Sequence, residues 1–346
     1  MPSATTVAIA GQSFLLNGKP TFPGRSFRGH KVEGLLPNSR MVQGVFDDLN
    51  PDTRGRWDYP DGSWDPQRNT REFIAAMPTW RAHGLLAFTL NLQGGSPEGY
   101  SRQQPWHNSA FAPDGSLRPD FMARAAAILD AADRLGMAVI LGLFYFGQDQ
   151  RLEGDAAVTA AVDHTTDWLL QRGDHHVLVE LANEINLKAY DQPLLTTAAA
   201  PDLLERIMQR SRGKLDTPAG RLLVSTSLSG NAVPGADLVD HCDFLLLHGN
   251  GVAQPDGIRA LVDKSRAVAT YRDQPVVINE DDHYDFDEPD NNFIAALDRH
   301  ASWGFFDFRR KGEPVTDGYQ SVPVDWSINS HRKRGFFTLL KEVTGI

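Results

Sequence analysis

An α/β chain closed into a (β/α)8 TIM barrel and preceded by an N-terminal β-hairpin is the fold class that the sequence predicts. Two observations carry it. From residue 41 onward, short apolar runs alternate with longer amphipathic stretches, and the runs number eight, as a barrel of parallel strands each followed by a helix requires. Each run is nearly continuously hydrophobic at its start, the pattern of a strand covered on both faces.

In chain order, 6–22 comes first, with two short apolar runs and the dipeptide Asn17-Gly18, a strong hairpin turn signal. Residues 1–30 are expected to pack as an extension on a single barrel domain spanning 1–346. The eight runs are 41–47, 85–93, 137–146, 177–184, 221–227, 243–250, 275–282 and 303–309. In 120–135, Phe121, Ala125, Ile128, Ala132 and Leu135 follow helical spacing and Gly136 stands where a left-handed cap belongs. The stretch 155–172 repeats this with Val158, Val162, Trp168 and Leu169, closed by Gly173. The fifth connection, around 236–239, is too short to read as a helix. A doubly wound sheet is disfavoured, because no glycine-rich phosphate turn follows the first run and 11–19 has the wrong spacing for a phosphate loop. No cofactor is expected.

Composition narrows the partners. Hydrophobic residues are 41% and charged residues 23% of the chain, with a net charge of −10, so a sizeable core can form. The longest basic cluster is Arg332-Lys333-Arg334, which argues against nucleic acid or an acidic membrane surface as partner. A lone cysteine, Cys242, makes neither an internal disulfide nor a cysteine-rich zinc site. No apolar stretch approaches the roughly 20 residues of a membrane span, and no basic leader precedes an apolar core. The expectation is a soluble chain, cytoplasmic or exported with its signal removed, of open oligomeric state.

Barrel active sites form at the carboxyl ends of the strands, so the polar residues closing each run are the positional candidates. They include Asp47, Asp48, Asn91, Gln93, Tyr145, Asn183, Glu184, Ser227, His248, Asn250, Glu280 to His283, and Asp307. Two long loops, 48–69 and 94–117, carry Trp57, Tyr59, Trp64, Trp106 and His107. Loops of that length are usually functional, and aromatic faces stack on sugar rings. Trp106 and His107 are therefore taken as cleft residues, while Trp57 and Trp64 are as readily loop pins. Two carboxylates stand out: Glu184 closes run four in LVELANE and Glu280 closes run seven in PVVINE. Strands four and seven face each other across a barrel, which suits hydrolysis of a glycosidic bond by paired carboxylates.

At these residues the chain resembles the clan-A retaining glycoside hydrolases, the cellulase and β-glycosidase superfamily. The resemblance rests on Asn183-Glu184 and Glu280, within an eight-unit pattern over roughly 39–343. It implies that Glu184 is the acid/base, Glu280 the nucleophile, and Asn183 a partner of the sugar 2-hydroxyl. The substrate is then a β-linked carbohydrate, an oligosaccharide or chain end. Departures from the family pattern are Asn91 where an arginine often ends strand two, His248-Gly249-Asn250 where His-x-Tyr is usual, and Phe306-Asp307-Phe308 where a tryptophan platform is usual. The hydroxyl that orients the nucleophile is sought at Tyr145 or Tyr284, the platform at Trp303 or Trp326, and further sugar contacts at His248, Asp282 and His283. Two other readings stay open: a metal-dependent isomerase or lyase using the Glu280–His283 cluster with His248, and a non-catalytic carbohydrate-binding barrel. No metal is assigned.

Overall fold

The computed structural model describes residues 4–101 and 103–346. Among the described residues, eight parallel strands alternate with eight barrel helices, and a further short helix, Pro51–Arg54, lies in the first loop. The strands are Asn38–Arg40, Ala87–Asn91, Ala138–Phe144, Val177–Ala182, Leu223–Ser225, Leu245–His248, Val276–Glu280 and Gly304–Phe305. The helices that follow them are Pro66–Ala82, Pro119–Leu135, Asp155–Arg172, Ala200–Ser211, Ala236–His241, Pro255–Arg266, Asn292–Asp298 and His331–Thr344. Six strands hydrogen-bond continuously, from the fifth through the first to the eighth, and the sixth pairs with the seventh. Single parallel bridges, Ser227 to Leu246 and Asp281 to Phe305, close the ring. The fold is an α/β TIM barrel.

The first strand lies at Asn38–Arg40 rather than at 41–47, where Val42–Val45 instead forms a short 3-10 turn. Apolar side chains there are buried between helices and the neighbouring strand: a Cβ on Gly44 would come within 2.9 Å of both Phe73 and Ile128 and 3.0 Å of Leu90, so the turn is packed under the first two helices and against strand two without joining the sheet. The strand itself is polar, and its bonds explain why: Asn38 donates to the Ile278 carbonyl and Ser39 to the Phe305 carbonyl. The helix around 236–239 does form, as the six residues Ala236–His241. Helix ends fall where the glycines stand, with Gly136 at φ 67° and Gly173 at φ 68°.

The N-terminal extension is a three-stranded antiparallel ribbon, Val7–Ala10, Ser13–Leu16 and Lys19–Pro20. Asn17-Gly18 makes the second of its turns, both residues at positive φ (51° and 75°), the conformation of a type I′ hairpin. A first turn, at Gly11-Gln12, adds a third strand to the hairpin that the sequence predicts. Phe14 and Val7 seal the barrel floor together with Leu36, Ala87, Ala138, Ile140, Leu178, Leu223, Phe244, Leu246 and Val277. That layer is apolar throughout, so the amino end of the barrel is closed and the carboxyl end is left for chemistry.

Candidate active site

Glu280 ends strand seven, and a register shift places it opposite His248 of strand six. Pairing runs Leu247 to Ile278 and then His248 to Glu280. The bulge gives strand seven one extra residue. Val277 belongs to the barrel floor, so strict alternation would turn Glu280 outward; the extra residue instead sets it beside His248. Glu184 stands two residues past strand four with φ 50°, a left-handed conformation that costs a non-glycine residue on the order of 1 kcal/mol. The turn is held: its amide donates to Ser227 Oγ at 3.0 Å and the Ile185 amide donates to the Ser227 carbonyl at 3.0 Å.

The two carboxylates meet. Glu184, His248 and Glu280 each offer an atom to a group lying within 4.8 Å of one another. His248 Nδ1 is 3.1 Å from Glu184 Oε1 and 3.5 Å from Glu280 Oε2. Arg40 reaches Glu280 Oε2 through Nε at 2.9 Å and donates from Nη2 to Asn183 Oδ1 at 2.9 Å. Arg40 also donates to Gln320 Oε1 at 3.2 Å, and Asn250 donates to Glu280 Oε1 at 2.9 Å. A buried carboxylate thus has a guanidinium, an amide and an imidazole around it, as a charge in an apolar interior requires.

Two neighbouring carboxylates and an imidazole titrate as a unit. Burial pushes Glu280 up, against Arg40 and His248, which favour its ionised form. Burial also opposes ionisation of Glu184, but the hydrogen bond and charge of His248 outweigh it and leave that carboxyl low. His248 is lowered by burial and raised more by Glu280 and Glu184, ending above its ordinary range. A lowered carboxyl beside a raised imidazole favours the charged pair, in which His248 Nδ1 donates to Glu184 Oε1.

These groups open into a cleft of about 460 Å³ lined by Ser96, Tyr100, Tyr145, Phe146, Phe306 and Gln320 with both glutamates. Tyr145 lies in the wall, its hydroxyl 3.1 Å from Ser96 Oγ. Neither it nor Tyr284, which donates to the Phe306 carbonyl, binds the Glu280 carboxylate. Asn250 does, from the position where the family pattern has tyrosine. Phe306, not a tryptophan, supplies the aromatic face at the end of strand eight.

Several expected cleft residues are elsewhere. Trp303 is buried and donates to Asp281 Oδ2 at 2.9 Å; Trp326 is buried and donates to Asn69 Oδ1 at 3.0 Å. Both are core residues because each indole N–H has an internal acceptor. Trp106 is fully buried, edge-on to Trp57 at 5.5 Å. Trp57 and Trp64 donate to Asp48 and Asp47, so the first loop's aromatics and acids pin it to the rim. His107 gives its backbone amide to Asp48, and burial lowers its imidazole to about 4. Asn91 lies inside the barrel, its Oδ1 2.3 Å from where a Gly142 Cβ would stand, with Glu180 Oε2 3.6 Å from the same point. His283 donates from Nδ1 to Asp281 Oδ1 at 2.6 Å, which ties its ring to the strand-seven loop. Among the described residues, Asp282 reaches the cleft through Tyr100, whose hydroxyl is 3.2 Å from Oδ2.

Residues that sequence reasoning missed are Arg40, Asn250 as a carboxylate donor, Tyr100, Phe146, Phe306, Gln320 and the buried Glu180. Arg40 escaped because its strand has no apolar run. Phe306 was visible at the platform position and passed over for not being tryptophan.

Among the described residues, two clusters have cation-binding atom types: Glu184 with His248 and Glu280, and Asp281 with Asp282 and His283. In the first, the Arg40 guanidinium already occupies Glu280, and its fixed charge opposes a divalent ion. In the second, Asp281 accepts from His283, Trp303 and Asn292, which uses the carboxylate structurally.

No protein-family model and no curated protein matches the sequence. Solved structures do match in fold. An endo-1,4-β-mannanase from Rhizomucor miehei superposes with a TM-score of 0.59 at 11% identity, over 98% of this chain and 99% of that one. A family 5 glycoside hydrolase mannosidase from the same organism gives 0.58 at 14% identity, over 99% and 96%. A GH5-4 broad-specificity endoglucanase from Bacteroides salanitronis gives 0.58 at 12% identity, over 90% and 93%. This chain spans 59% of the length of a glycoside hydrolase from Bacteroides vulgatus, at a TM-score of 0.56 and 12% identity. The likeness is one of fold: these family 5 glycoside hydrolases and this chain share the TIM-barrel architecture.

Proposed function

We propose that the chain is a retaining glycoside hydrolase acting on a β-linked oligosaccharide or chain end. The observation that carries this is the placement of Glu184 and Glu280, whose carboxylate oxygens come within 4.8 Å at the barrel mouth. Retaining enzymes hold their two carboxyl groups roughly 5–5.5 Å apart and inverting ones about 6.5–9.5 Å, leaving room for a water. The fold likeness to family 5 hydrolases supports the same reading.

In this mechanism Glu280, its charge held by Arg40 and Asn250, attacks the anomeric carbon. As the glycosidic C–O bond breaks, the leaving oxygen takes the proton of the Glu184–His248 pair. Esterification removes the negative charge of Glu280. Glu184, now ionised, takes a proton from water, whose oxygen attacks the same carbon and releases Glu280 as carboxylate. Arg40 binds the oxygen of Asn183 and so presents the amide nitrogen to the sugar 2-hydroxyl, a contact that strengthens in the transition state. Phe306 offers its face to the ring, and the loops around Tyr100 wall one end, favouring short substrates.

The test is a panel of aryl β-glycosides, starting with mannosides and glucosides because the structural neighbours include mannosidases and an endoglucanase. Turnover with retained anomeric configuration, its loss in Glu280→Ala, and azide rescue yielding an α-glycosyl azide are expected. Unchanged turnover in Glu280→Ala would remove the assignment. Activity abolished by chelation would favour the metal-dependent alternative instead.

A further inference from the structure

Asn250 spends both hydrogens of its amide nitrogen in the site. One goes to Glu280 Oε1 at 2.9 Å and the other to the Tyr100 hydroxyl oxygen at 3.1 Å. A primary amide nitrogen has two hydrogens and no acceptor capacity, so Tyr100 is the acceptor in that contact. Its own proton then points to Asp282 Oδ2, 3.2 Å away. The phenol stays protonated, since burial of the hydroxyl and the charges of Glu280 and Asp282 all raise it. The direction of every bond is therefore set: Tyr100 donates to Asp282, and Asn250 donates to Tyr100 and to Glu280. The ring is fixed as well, edge-on to Phe306 at 5.8 Å and to Phe308 at 4.9 Å. The turn before it closes on Phe308 through Gly99, at φ 87°, where a Cβ would sit 2.9 Å from that ring. Yet 58% of Tyr100 remains exposed, and it forms part of the cleft wall.

We infer that Tyr100, carried by the loop after strand two, is a positioning residue for Glu280: it fixes the Asn250 amide on the nucleophile oxygen and takes its own orientation from Asp282. The inference rests on Glu280 being the nucleophile. The chain ties three barrel segments together at one carboxylate oxygen, and the part that touches substrate space is the tyrosine ring. Without the hydroxyl, the Asn250 amide loses an acceptor and can rotate away from Oε1, so the ionised form of Glu280 loses a well-directed donor.

Tyr100→Phe keeps the ring on Phe306 and Phe308 and deletes only the oxygen. Expected is a fall in kcat of about tenfold, the loss of one hydrogen bond of ordinary net strength, with KM changed less than twofold. The acid limb of the pH profile moves upward, and so does the titration of the Glu280 side-chain carboxyl followed by carbon NMR, its signal assigned by its absence in Glu280→Gln. In an Asn250→Ala background, the same Tyr100→Phe change should have no further effect on either readout. Equal effects in both backgrounds, or an unchanged Glu280 titration in the single variant, would overturn the relay. The carboxyl titration needs no turnover, so a wild-type protein inactive on every glycoside sinks the hydrolase reading while the relay is still decided.

Discussion

The two ends of the barrel interior are built from opposite materials. At the floor, Phe14 of the N-terminal ribbon meets Phe244 edge-on with centroids 6.1 Å apart, inside a layer of aliphatic side chains. At the mouth, the interior positions are Arg40, Glu180, Glu184, His248 and Glu280, buried or nearly so. The floor follows ordinary packing and stabilises the fold. The mouth keeps charges in a largely buried space where each must be balanced by a neighbour, and where an electrostatic contact is stronger than in bulk water. Conservation of charge balance at the mouth and of volume at the floor are therefore separable, and substitutions separate them.

The largest expected effect is at the mouth. Glu280→Gln should lower turnover on the order of 10⁴-fold or more. It should also lower the melting temperature, because Arg40 loses its anion in a buried position. Rates on an aryl glycoside and a thermal melt measure both. Phe14→Ala is the complement: about 3–5 kcal/mol of stability lost to a cavity, with kcat per folded molecule unchanged. A drop in kcat at full folding would mean that the floor transmits strain to the site.

The floor was legible in the sequence and the mouth only in part. Apolar runs with the right spacing reveal strands two to eight, because a strand buried on both faces has a one-letter pattern that repeats. Glu184 and Glu280 were legible for the same reason: each directly closes such a run. Arg40 was hidden because its strand, Asn38–Arg40, buries polar side chains whose partners, Ile278 and Phe305, come from strands seven and eight. No local periodicity encodes that. Asn250 and Tyr100 were hidden for a different reason. Their contacts span 30 and 150 residues, and only ring closure brings them together. The tryptophans misled because aromatic residues on long loops serve packing as often as binding, and an internal acceptor for the indole N–H is invisible in one dimension.

A smaller effect tests the charge balance itself. Arg40→Met leaves Glu280 with Asn250 and His248 but no guanidinium, costing roughly 3 kcal/mol of stability. Burial is then less opposed, so Glu280 takes up its proton at higher pH and the acid limb of activity moves upward. Under the proposed hydrolase mechanism the wild-type profile has an expected shape. Glu280, raised by burial, must be ionised to attack, so activity falls as pH drops through a value above the ordinary 4.5. The proton on the Glu184–His248 pair must be present, so activity also falls as pH rises through a value above the 6.5 of a free imidazole, since the neighbouring carboxylates outweigh burial there. In His248→Gln the alkaline limb should leave that position while the acid limb persists. An alkaline limb that stays in place would assign it to another group.

The smallest effect concerns the aromatic residues on which mouth and rim differ. Phe306 lines the cleft beside both glutamates, so Phe306→Ala should raise KM several-fold by removing a sugar-facing ring. Trp106 is fully buried behind the rim, and its indole nitrogen has no hydrogen-bond acceptor among the described residues. Trp106→Phe therefore gives up ring volume and no hydrogen bond. About 1 kcal/mol of stability is the expected cost, with KM and kcat at wild-type values. A KM increase in Trp106→Phe comparable to that in Phe306→Ala would place Trp106 against the sugar after all, and would require the loop 94–117 to turn its inner face to the cleft when substrate is bound.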